Sequence, residues 1–147
     1  MRDIKQIVIH CSAGSQRQHA ADIVRYHTSP AARGGLGWSA PGYHYIVEAD
    51  GTVVHTWPED RPSNGVRGHN ATSVNVCYTG GVDLSRPRPY PAVDNRTPAQ
   101  RAAIRRLLSE LHGRYPAARI MGHRDFPGVH KACPCFDAIT EYNDLQP

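Results

Sequence analysis

At 147 residues the chain has the length of one domain, and its 39% hydrophobic residues are enough for a single core and too many for a disordered chain. No stretch approaches the roughly 18 uninterrupted apolar residues of a membrane span, and Met1-Arg2-Asp3-Ile4-Lys5-Gln6 offers no apolar leader region, so neither a transmembrane helix nor a cleaved secretory signal is expected. The 17 Lys and Arg outweigh the 13 Asp and Glu for a net charge of +4, which suits an anionic partner such as nucleic acid, phospholipid headgroups or a wall polymer, and equally well a merely soluble surface.

The first apolar run, Ile4 to Cys11, is short and rich in β-branched residues, which predicts a strand buried on both faces. Ala20, Ala21, Ile23, Val24 and His27 then recur at helical spacing, predicting a helix from Gln16 to His27 with Ser15 as its N-cap. Ser29-Pro30, Gly34-Gly35 and Pro41-Gly42 break the chain into a loop. A second strand is expected from Tyr43 to Glu48, with Asp50-Gly51 as a hairpin turn and Thr52 to Trp57 as the returning strand. Residues 58–72 read as a surface loop, and Ser73 to Thr79 as a third apolar strand ended by Gly80-Gly81. Pro87, Pro89 and Pro91 make the stretch from Val82 to Arg96 irregular.

Thr97-Pro98-Ala99-Gln100 is the strongest helix start in the chain: a capping threonine, proline at the first helical position and glutamine completing a capping box. Ile104, Leu107, Leu108 and Leu111 follow on one face, and Gly113 is expected to end the helix. Arg119 to Gly122 reads as a short strand and Phe136 to Asn143 as a terminal helix. The order of elements predicts a single mixed α/β domain over residues 1–147, with helices covering a central sheet.

Nine histidines beside four cysteines point towards a metal. A catalytic zinc needs three protein ligands and an open position, and strand ends hold such ligands rigidly. His10 lies at the C-terminal end of the first strand, His123 directly follows the short Arg119–Gly122 strand, and His130-Lys131-Ala132-Cys133-Pro134-Cys135 supplies donors in a proline-stiffened turn. Taken singly, a histidine at a strand end is more often a hydrogen-bonded structural residue. Spacing alone leaves open whether Cys133, Cys135 or His130 would bind. A Cys133–Cys135 disulfide would close a very tight ring and is disfavoured. A nucleic-acid binder built on a closed structural zinc would want paired thiolates and a basic run, and the sequence has neither a CxxC pair nor such a run.

Six blocks, taken in chain order, carry a resemblance. They are Ile7-Val8-Ile9-His10-Cys11-Ser12-Ala13; Gly42-Tyr43-His44-Tyr45-Ile46-Val47 with Asp50-Gly51-Thr52-Val53; Ser73-Val74-Asn75-Val76-Cys77-Tyr78-Thr79-Gly80-Gly81; Thr97-Pro98-Ala99-Gln100; Gly122-His123-Arg124-Asp125; and Lys131-Ala132-Cys133-Pro134 with Phe136-Asp137. Together they resemble the zinc-dependent N-acetylmuramoyl-L-alanine amidases of type 2, which share their fold with peptidoglycan recognition proteins. Within that family the match is to small phage endolysins of the amidase type.

The resemblance implies one zinc ion held by His10, His123 and Cys133, with Tyr43 and Lys131 as catalytic residues that do not bind it. It implies a mixed sheet flanked by helices, with a cleft open over the metal. The implied reaction cleaves the amide between N-acetylmuramic acid and the L-alanine that begins the peptide stem. Lys131 would stabilise the developing oxyanion and Tyr43 would orient water or relay a proton, roles the two could exchange. Peptidoglycan is then the partner of a monomer that binds no nucleic acid and enters no membrane, made in the cytoplasm without a signal and reaching the wall after release. The alternatives are a cytoplasmic muropeptide-recycling amidase and a non-catalytic peptidoglycan-binding module. The latter class typically lacks the thiolate, so Cys133, Lys131 and Tyr43 together argue against it.

Two positions depart from the family pattern. Many members have a histidine in the loop before the third strand, where this chain has Gly65, with His69 four residues on as the conceivable substitute. Some carry a glutamate in the third strand, where Cys77 stands here and is expected to be a small buried hydrophobe. Arg67 and Arg124 are candidates for anionic wall groups, with a solvated surface the even alternative. Trp38 and Trp57 are expected in the core rather than as platforms for sugar or peptide, the alternative use, and His44 is expected to be structural.

Overall fold

In the computed structural model, which describes residues 2–147, β1 (Gln6–Cys11), β2 (Tyr45–Val47), β3 (Val53–His55), β4 (Ser73–Tyr78) and β5 (Arg119–Gly122) form one sheet in the order β3-β2-β4-β1-β5. β1 runs parallel to both β4 and β5, β2 runs parallel to β4, and β3 closes the edge as an antiparallel hairpin partner of β2. A strand with neighbours on both sides and helices above and below must be apolar throughout, and Ile7 to Cys11 are all buried, as the β-branched run predicts.

The two faces of the sheet bury different partners. Ile7, Ile9, Val74, Val76 and Tyr78 meet Ala103, Ile104, Leu107, Leu108 and Leu111 of α2 (Pro98–Arg114) in the main core. On the other face Ile46 and Cys77 pack with Ala20 and Ile23 of α1 (Ala20–Thr28), so Cys77 is the small buried residue expected. α1 covers only part of this face; Val8 and Met121 pack there with Val66 and Phe126, and His10 is buried near the end of β1. Among the described residues no helix is long and apolar enough to cross a membrane.

β1 to β4 are each one to three residues shorter than the sequence expectation (Gln6–Cys11, Tyr45–Val47, Val53–His55 and Ser73–Tyr78), and the helices differ at three places. The chain from Ser15 forms a turn before α1 begins: Ser15 Oγ accepts the Arg17 N–H at 3.1 Å and Ser15 C=O accepts the Gln18 N–H at 3.2 Å. The helix starts only at Ala20, whose N–H donates to the Glu48 carboxylate at 2.7 Å, while Asp22 accepts the His19 N–H at 3.1 Å. A tertiary partner at the hairpin thus outcompetes the local serine cap. Gly113 lies inside α2, which runs to Arg114 because Arg114 and Tyr115 both donate to Glu59, at 2.6 and 2.7 Å. The terminal helix is the short α3 (Ala138–Glu141), capped by Asp137, which accepts the Thr140 N–H at 3.2 Å; Phe136 precedes it, 3.4 Å beneath the Arg96 guanidinium. At α2 the expected capping box is in place: Thr97 Oγ1 accepts the Gln100 N–H at 3.0 Å and Gln100 Oε1 accepts the Thr97 N–H at 2.9 Å.

Candidate functional site

The pairing of β1 with β5 brings two histidines together. His10 is the penultimate residue of β1, His123 is the first residue beyond β5, and their ring centroids lie 4.9 Å apart. The turn after His123 then folds back beneath them. Arg124 N–H donates to Cys133 C=O at 2.9 Å, Tyr78 Oη donates to Pro134 C=O at 2.6 Å, and the ring of Pro134 lies so close to Gly122 that a Cβ there would sit 2.5 Å from Pro134 Cδ. Held this way, Cys133 Sγ accepts the Cys11 N–H at 3.2 Å. One ligand atom from each of His10, His123 and Cys133 falls within 4.8 Å of the others, a spacing that suits three donors around one cation.

The electrostatics favour the metal-binding form of each donor. Burial, with help from His123, pushes His10 down to about 3, and burial with Lys131 nearby lowers His123, so both imidazoles are neutral near pH 7. The Cys11 thiol and N–H hold the Cys133 thiol below its ordinary value against its burial, which favours the thiolate. Two neutral imidazoles beside a thiolate-prone cysteine are the donor types that zinc takes, and the residues present fit such an ion.

Tyr43 and Lys131 line the same cavity of about 260 Å³, together with the three donors. The Tyr43 ring lies 5.0 Å from that of His10, and burial raises its phenol well above the usual value, so it is a neutral O–H at physiological pH. Lys131 is exposed at the mouth of the cavity. A neighbouring cavity of about 510 Å³ shares Trp38, Asn64, Gly65, His123 and Lys131 and adds Arg67 and Asn70, extending the site into a cleft.

Other candidates go elsewhere. Cys135 lies with its Sγ 3.8 Å from that of Cys11, all four cysteines are free thiols, and His130 is exposed outside the cluster. His69 packs on Phe126 with ring centroids 4.4 Å apart and does not line the cleft, so it takes no part as a substitute at the Gly65 position. Trp38 corrects the core expectation: it is 37% exposed, lines both cavities, and lies over His27 at 4.9 Å. Its place in a glycine-rich loop keeps it out of the packed layers. Trp57 sits outside the core clusters with Arg61 over its ring, its Nε1–H donating to Pro62 C=O. His44 is fully buried and structural, accepting the Asn75 N–H at Nδ1 (3.0 Å) and reaching Arg61 C=O through Nε2 (2.8 Å).

Sequence reasoning passed over His27 and Asn75. His27 Nδ1 accepts the Gly42 N–H at 3.0 Å and so fixes the approach to Tyr43. Asn75 Oδ1 lies 2.8 Å from His10 Nε2. A lone asparagine between Val74 and Val76 in a buried strand was the available signal, because a buried amide requires partners.

This geometry sits in a frame with known relatives. The family model for N-acetylmuramoyl-L-alanine amidase matches residues 1–136. The chain belongs to the N-acetylmuramoyl-L-alanine amidase family. The endolysin of Enterobacteria phage K11 is 38% identical to this amidase over 138 residues, covering 92% of this chain and 83% of the relative. Among solved structures, the Ph2119 endolysin of a Thermus scotoductus bacteriophage superposes with a TM-score of 0.76 at 27% identity, covering 99% of this amidase and 86% of that chain. Bumblebee PGRP-SA, at 16% identity and a TM-score of 0.73 over 98% of this chain and 83% of its own, shares the fold. The expected family and the expected mixed α/β architecture are both met.

Proposed function

We propose that this amidase is a zinc-dependent, endolysin-like peptidoglycan hydrolase of one domain, acting as a monomer on the bacterial wall after release from the cytoplasm. It cleaves the amide between N-acetylmuramic acid and the first L-alanine of the stem peptide. The observation that carries the reading is the gathering of His10, His123 and Cys133 donor atoms within 4.8 Å of one another at the base of a cleft, in a chain of this family.

In this reading His10, His123 and Cys133 hold the ion, and the single thiolate neutralises only one of its two charges. Zinc bound there supplies Lewis acidity towards an amide carbonyl and lowers the pKa of water towards about 7. Lys131, at the cleft mouth, offers its ammonium to the oxygen on which negative charge develops. Tyr43, a neutral phenol, orients the attacking water or passes a proton to the departing nitrogen. Arg67, in the adjoining part of the cleft, meets carboxylates of the stem peptide, and Trp38 gives a flat apolar wall for sugar or peptide.

The test is mass spectrometry of the products from a defined muropeptide, with and without chelator. Separation of sugar from intact peptide at the lactyl–alanine junction, abolished by chelation and restored by zinc, is the expected result. Zinc uptake without any cleavage would replace the enzyme with a binding module. A Cys133→Ser variant with full zinc occupancy and full turnover would overturn the metal assignment.

A further inference from the structure

A metal-binding imidazole needs one nitrogen bare and the other protonated, and nothing in the cleft itself makes that choice for His10. The choice is made on the buried side. Asn75 and His10 are both buried, and Asn75 Oδ1 is 2.8 Å from His10 Nε2. Which end of the amide faces His10 follows from the rest of the chain of bonds. Asn75 Nδ2 lies 2.8 Å from Ser63 Oγ, and the Ser63 hydroxyl is 3.0 Å from Gly42 C=O, which can only accept. Ser63 therefore donates to Gly42 and accepts from the Asn75 NH2, which leaves the amide oxygen facing the imidazole. An oxygen there demands that Nε2 carry the proton, so the bare nitrogen is Nδ1.

The backbone beneath is fixed as well. His44 Nδ1 accepts the Asn75 N–H at 3.0 Å, and Gly65 leaves the amide no room to swing: a Cβ at Gly65 would lie 2.3 Å from Asn75 Cγ and Oδ1. The backbone at Gly65 is not in the left-handed region, so the requirement for glycine is this close approach alone. Gly65 and Asn75 form a matched pair in which one residue gives up its side chain so that the other can reach His10.

We propose that Asn75, locked by Ser63 and by the missing side chain at Gly65, is the positioning residue that sets the His10 tautomer and aims its Nδ1 at the metal. The proposal rests on the reading of His10 as a zinc ligand. Hydrogen-bond partners behind ligating histidines commonly govern metal affinity, and their loss weakens it by about 10- to 100-fold.

The experiment compares the wild type with Asn75→Ala, Asn75→Asp and Gly65→Ala. Zinc affinity is read by competition with a chromophoric chelator, and the His10 tautomer by nitrogen-15 NMR of the metal-free protein. Asn75→Ala is expected to bind zinc about 10- to 100-fold more weakly and to show a mixed tautomer. Asn75→Asp keeps an acceptor oxygen at the same place and is expected to restore both readings. Gly65→Ala, at a cleft-lining glycine that supplies no donor atom, is expected to weaken zinc binding by displacing the amide.

Undiminished zinc affinity in Asn75→Ala, or a wild-type ring protonated on Nδ1, overturns the proposal. The tautomer measurement decides the matter even if Asn75→Ala fails to fold. A wild type that takes up no zinc, or a His10→Ala variant that takes it up undiminished, sinks the ligand assignment itself and the proposal with it. Undiminished uptake by Asn75→Ala alone leaves that assignment standing.

Discussion

Tyr43 and Lys131 reach the cleft from separate elements, the lead-in to β2 and the turn that carries Cys133, and neither is among the three clustered donors. Their removal should therefore separate metal retention from turnover. Lys131→Ala is expected to keep its zinc and lose about 10²- to 10³-fold in rate. Tyr43→Phe is expected to keep its zinc and lose about 10²-fold or more. Metal analysis alongside release of soluble peptide from purified peptidoglycan checks both. Cys133 was singled out over Cys135 only by the family resemblance of the Lys131-Ala132-Cys133-Pro134 block, since spacing could not choose between them; the structure sets Cys135 against Cys11 instead. For Trp38 the choice between platform and core went to the core, because a single aromatic among glycines has no periodicity to read. His44 carries a pH prediction. Burial and the Arg2 guanidinium, 3.2 Å from Nε2, resist its protonation and set it at about 4. The unfolded chain takes up that proton near pH 6.5, so stability is full above this value and is lost as pH falls towards 4, by on the order of 3 kcal/mol. Urea titrations of metal-free wild type and His44→Gln across that window should differ in slope, with the variant flatter.

At the level of elements, what was legible tracked how local the determinants are. The Thr97 cap and Gln100 box lie within one turn of chain, so the start of α2 is as read, and Thr97→Ala should cost about 1 kcal/mol in chemical denaturation. The β-branched run, the Asp50-Gly51 hairpin signal and the apolar segments placed every strand, with β5 at its expected residues and the others shorter. The errors at α1, at the end of α2 and at α3 share a cause: Glu48, Glu59 and the Arg96 cluster act across long sequence separations. Arg96 is the strongest of these ties. Its side chain is fully buried between Asp94 and Glu141, at 2.9 and 2.7 Å, and it lies over Phe136, pinning the irregular 82–96 excursion to α3. Asp94 and Glu141 also face Arg101, at 3.1 and 3.9 Å, and are partly exposed, so Arg96→Ala should cost less than the roughly 3–5 kcal/mol of a fully buried pair, measurable as a shift in denaturation midpoint with little change in slope.

For the molecule as a whole, the proposed ligands tie together one edge of the sheet and the chain beyond it, with His10 on β1, His123 after the neighbouring edge strand β5, and Cys133 in the following turn. An ion bound only by the folded state adds stability by mass action, about 2.7 kcal/mol at free zinc one hundred times the dissociation constant. Thermal melts should rise with added zinc and fall with chelator, and Cys133→Ser should show neither response. The six ordered blocks made the family and the architecture legible, because they mark strand ends and turns that the fold fixes in space. The depth of the cleft was not legible, since it depends on what α1 leaves uncovered.

β1 takes both of its parallel neighbours, β4 and β5, from chain that is synthesised after it. Fragments still emerging from the ribosome therefore have no means of bringing the distant donors side by side. The three-donor cluster comes together only once the chain has been made through Cys133.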